Sequence, residues 1–151
     1  MSERQIVVGS DDWCTAPDPF WHLNPILLDM GAVRFYDYAD DHGSTLSERL
    51  GRCYELSGRS MFPTHIDRAR TQGQPVPIGL IHGSMHGPDA PTRIKHAWLL
   101  LNSSEIWEPA SGLVYDGPTF KAYARAEVDS LFDAVEANRL LMKHEHFGPW
   151  M

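Results

Sequence analysis

Residues 94–101, Ile-Lys-His-Ala-Trp-Leu-Leu-Leu, form the most apolar stretch of the chain, and Asn102-Ser103-Ser104 stops it. A run this short between polar stops fits a buried strand better than a helix, which needs roughly ten or more residues to build an apolar stripe. Glu105-Ile106-Trp107-Glu108-Pro109 follows at once, so the two segments predict a β-hairpin. Val114-Tyr115-Asp116 continues the sheet after Ser111-Gly112. Residues 77–82 supply a strand before the hairpin that ends at Gly83, and residues 33–38 and 5–8 are also β-prone. Residues 84–91 read as a turn-rich insert.

Two segments read as helix. Residues 119–143 carry Phe120, Tyr123, Ala124, Val128, Leu131, Phe132 and Val135 at three- and four-residue spacing, with Pro118 just before them. This pattern predicts one long C-terminal helix. The other segment opens at Cys53, directly after Gly51 and Arg52, with Gly58 as its end or kink. The expected class is α+β, with a helix packed on a small antiparallel sheet. The tail, residues 144–151, is aromatic enough to dock. No repeat, low-complexity tract or linker divides the sequence, so residues 1–151 are expected to form one domain.

The formal charge of −7, from 20 acidic and 13 basic residues, argues against a phosphate-backbone binder, which usually carries a basic stripe. No apolar run approaches the roughly 20 residues that span a bilayer, and the start has no signal-peptide core. The expectations are a cytoplasmic protein, no nucleic-acid partner and no membrane. With only Cys14 and Cys53 there is no disulfide framework; both thiols are expected to be reduced, with a single bond between the two as the alternative.

A thiol nucleophile needs partial thiolate character, a base, and a group that orients the base. A helix N-terminus favours an anion, and Cys53 stands where a helix begins. His96 lies in the apolar strand, and the hairpin returns Glu108 beside it. The sequence therefore permits a Cys, a His and a carboxylate to meet. Asn102 and Asp116 are alternatives for the third position.

These residues also carry a family resemblance. Gly51-Arg52-Cys53-Tyr54-Glu55-Leu56-Ser57 is similar to the nucleophile motif of transglutaminase-like proteins, His96-Ala97-Trp98 to their His-Ala-Trp strand, and Trp107-Glu108-Pro109 to their later Trp…Asp-Pro segment. Over residues 50–116 the chain thus resembles the transglutaminase-like branch of the papain-like cysteine enzymes, with Glu where the family usually has Asp. The resemblance implies a papain-like core and acyl transfer at an amide or ester, with Cys53 as nucleophile, His96 as base and Glu108 as orienting group. The activity it implies is that of a hydrolase (thiol protease or deamidase) or an acyltransferase, acting on a peptide, protein or small amide. The alternative is a binding or inhibitor protein that keeps the fold without catalysis.

His82, His86, Tyr54 and Trp98 are the candidate substrate contacts. A metal site is not expected, because Gly83, Gly87 and Pro88 break any helix that would align His82 with His86. No cofactor is expected. Arg49, Arg52 and Arg59 either attract an acidic substrate or form a solvated helix face. The oligomeric state is left open.

Overall fold

The computed structural model describes residues 33–35, 52–85, 93–109 and 113–150. The expectations for residues 5–8 and 36–38, and those for Cys14, Arg49 and His86, lie outside these residues. Among them are β1 (Val33–Phe35), α1 (Cys53–Arg59), α2 (Pro63–Gln72), β2 (Gly79–Met85), β3 (Ile94–Leu100), β4 (Glu105–Glu108), β5 (Leu113–Asp116), α3 (Gly117–Ala124), β6 (Glu127–Phe132) and α4 (Ala134–His144). The strands form one sheet in the order β1-β5-β4-β3-β2-β6, and each neighbouring pair is antiparallel. The chain is an α+β protein.

The sheet is covered on both faces, which explains the unbroken apolar run in β3. Successive side chains of a strand point to opposite faces. Ile81, Trp98, Ile106 and Tyr115 pack with Phe120 of α3 on one face. Their neighbours Leu80, Leu99, Trp107 and Val114 pack with Met61 and with Ala137 of α4 on the other. Each large side chain so buried is worth about 1.5–3 kcal/mol relative to exposure.

The hairpin turn is held by Asn102, whose Oδ1 accepts from the backbone N–H of Ser104 (2.8 Å) and of Glu105 (2.8 Å). Its side-chain NH2 donates to Glu105 Oε1 at 3.0 Å. Asn102 is thereby committed to the turn. α2, which the sequence reading did not anticipate, starts with Pro63 in its first turn and stops at Gly73, where φ is +71°. Such a left-handed residue suits glycine.

The single long C-terminal helix is a correction. Residues 117–144 form helix α3, strand β6 and helix α4 in succession. Arg125, at φ +52°, ends the first helix. β6 then pairs with β2, Leu80 opposite Phe132 and Ile81 opposite Leu131. Asp133 restarts a helix as its N-cap, accepting from Glu136 N at 2.8 Å. Val128 and Leu131, which the helical reading counts as core, are 58% and 57% exposed. The final helix is 11 residues long.

Candidate functional site

The β3–β4 hairpin does bring His96 and Glu108 together. They are 3% and 0% exposed, and His96 Nε2 is hydrogen-bonded to Glu108 Oε2. An ionised Glu108 can only accept, and against it Nε2 carries the ring proton while Nδ1 holds the lone pair of a neutral ring. A carboxylate wholly out of water needs such a partner, because an unpaired buried charge is strongly unfavourable. Asp116 remains at the β5 end paired with Glu105 in the ladder.

Cys53 is the first residue of α1 and is fully buried. It packs with Tyr54, Leu56 and Ala97, so the amino end of α1 rests on the residue next to His96. Ser57 adds a bond across the same contact, its Oγ donating to the Ala97 carbonyl at 3.4 Å. Alternation along β3 places Ala97 toward α1, whereas His96 shares the α3 face with Trp98, their ring centroids 5.9 Å apart.

The expectation of a reduced thiol is corrected for Cys53, which is disulfide-bonded. The chain has one other cysteine, Cys14, outside the described residues. Composition argued for free thiols from cysteine number and the lack of a signal segment, but a bond depends on which sulfurs the fold brings together.

The candidate substrate contacts separate. Tyr54 and His82 lie together, ring centroids 4.8 Å apart, with His82 5% exposed. Phe132 and Trp150 enclose the imidazole at 5.2 and 4.9 Å. Gly148 closes the remaining side, since a Cβ there would stand 2.7 Å from His82 Cε1. Burial pushes the His82 pKa down to about 4, although the charge of Asp129 acts in the opposite sense. Burial also raises the Tyr54 hydroxyl well above its ordinary range, helped by Asp129. Tyr54 Oη and His82 Nε2 have no hydrogen-bond partner among the described residues. Trp98 instead belongs to the core of the opposite face.

The docked tail of residues 145–150 supplies neighbours that the sequence reading did not assign to the site. Trp150 Nε1 donates to the His146 carbonyl at 2.8 Å, and Phe147 packs against the Cys53 cluster. Its aromatic composition was the readable signal. Arg52 and Arg59 do not stand as free cations, because both bind Glu55, at 3.0 and 2.9 Å. Burial would raise the Glu55 pKa, but the two guanidiniums outweigh it and hold the carboxyl below its ordinary value.

Among the described residues no group of three or more His, Cys, Asp or Glu is arranged to hold a metal ion. Nor is any described helix long and apolar enough to cross a membrane. No family model, no curated protein and no solved structure matches the chain.

Proposed function

We propose that the protein is a cysteine-dependent enzyme of amide bonds (a peptidase, deamidase or acyltransferase) built on a papain-like core of the transglutaminase-like type. The observation that carries this reading is the buried His96–Glu108 pair on adjacent strands, with His96 next in sequence to Ala97, on which the helix that opens with Cys53 packs. A solvent-excluded carboxylate on Nε2 fixes the tautomer that leaves Nδ1 as base, which is the arrangement a thiol nucleophile requires.

The disulfide sulfur of Cys53 is not a nucleophile, so the active form is the reduced one. A dithiol reductant would break the bond, releasing two protein thiols and itself becoming a disulfide. Since Ala97, not His96, faces α1, this reading requires the reduced thiol to reach the imidazole from the other face of the sheet. There Nδ1 takes the thiol proton as the sulfur attacks the carbonyl carbon. The oxyanion is held by backbone N–H groups at the start of α1, that of Cys53 among them. As the tetrahedral intermediate collapses, the proton passes to the departing amine and a thioester remains on Cys53. Water completes hydrolysis, or a second amine completes transfer.

The same disulfide favours a second reading, a binding or inhibitor protein in which Cys53 only braces the fold. The two separate by intact-mass measurement of reduced protein after incubation with a mixed set of peptide amides and esters. An acyl adduct located on Cys53, and absent from Cys53→Ala, supports the enzyme. A folded Cys53→Ala protein with undiminished activity in its biological assay would sink it.

A further inference from the structure

The sheet face that carries Trp98 also holds a cavity of about 610 Å³. Small-molecule sites generally occupy roughly 300–1,000 Å³ and combine an apolar lining with few polar groups. Here Ile81, Trp98, Leu100 and Ile106 of the adjacent strands β2, β3 and β4 line the cavity, with Phe120 and Ala126 beside them. Gly83 shapes this lining. A Cβ at that position would stand 2.9 Å from Trp98 Cη2 and closer still to the Glu127 carbonyl oxygen. Its absence lets the indole pass over β2 and brings β6 close.

Three charged residues line the same cavity: Lys121, Glu127 and Asp129. The two acids already face cations, Glu127 opposite Arg93 at 3.7 Å and Asp129 opposite Lys95 at 3.5 Å. Lys121 is exposed and makes no ion pair among the described residues. The charge left over is therefore positive, above an aromatic and aliphatic surface.

We propose that this cavity binds a small carboxylic acid with an apolar body, the body resting against Trp98, Ile81 and Leu100 and the carboxylate meeting Lys121. The lining does not include Cys53, His96 or Glu108, and the proposal stands or falls independently of the chemistry proposed for them.

The test uses the full chain and three eight-carbon probes: octanoate, octanol and octylamine. Binding is read from the Trp98 indole N–H signal by NMR, with Lys121→Gln as the variant. Octanoate should move that signal at millimolar concentration and more tightly than the alcohol or the amine. An exposed ion pair is worth up to about 1 kcal/mol, so Lys121→Gln should weaken octanoate by roughly three- to fivefold and leave octanol unchanged. A preference for octylamine overturns the proposal. So does octanoate binding that Lys121→Gln leaves intact, or an indole that none of the three probes moves.

Discussion

Acid should destabilise this protein through His82 in particular. The imidazole is enclosed by Tyr54, Phe132, Trp150 and the Gly148 backbone, and its pKa falls from 6.5 to about 4. Between those two values the unfolded chain binds a proton that the folded chain refuses. The contribution of His82 is therefore fully present above pH 6.5 and is lost as pH falls toward 4. Two and a half pH units at about 1.4 kcal/mol each set the loss at about 3 kcal/mol. His82→Phe keeps an aromatic ring among aromatic neighbours and cannot take up the proton. Urea unfolding of both proteins across pH 4–7 would isolate this residue, because the remaining histidines are common to both. The wild type should lose about 3 kcal/mol relative to His82→Phe over that range. At pH 7 the variant should be no less stable, since it also removes an unpartnered buried nitrogen. A stability difference that stays flat with pH would refute the reasoning.

Three further outcomes follow from single contacts. Glu108→Ala leaves His96 buried without its carboxylate and should cost about 3–5 kcal/mol in urea unfolding, with Glu108→Gln costing less because it still accepts a hydrogen bond. Gly83→Ala forces a methyl against the Glu127 carbonyl and the Trp98 ring; it should cost about 1–3 kcal/mol and lower hydrogen-exchange protection in β6 before β4. Asp133→Ala removes the cap of α4 and should lower stability by about 1 kcal/mol, seen as a lower thermal midpoint.

The readable part of the site was local. His96 and Glu108 are 12 positions apart, and Asn102-Ser103-Ser104 between them has the chemistry of a tight turn. Alternation and turn chemistry were therefore enough to pair the residues. The start of α1 at Cys53 was legible for the same reason. Residues 117–144 misled because two short helices at either end share a helical period. The strand between them exists by pairing with β2, more than 40 positions away. Its capping signal, Asp133 three residues before Glu136, was present in the sequence but lay inside the apparent helix. The enclosure of His82 by Gly148 and Trp150 joins positions more than 60 apart, which periodicity does not report. The Cys53 disulfide is likewise a tertiary event.

The most direct test of the central claim is the pH dependence of Cys53 alkylation by iodoacetamide in reduced protein, with His96→Ala and Glu108→Gln beside the wild type. The account predicts rapid labelling that persists below the ordinary thiol pKa of about 8.5. It also predicts loss of that low-pH labelling in His96→Ala and its weakening in Glu108→Gln. A reduced Cys53 that labels only at alkaline pH, equally in all three proteins, would contradict the account and leave the cysteine a structural one.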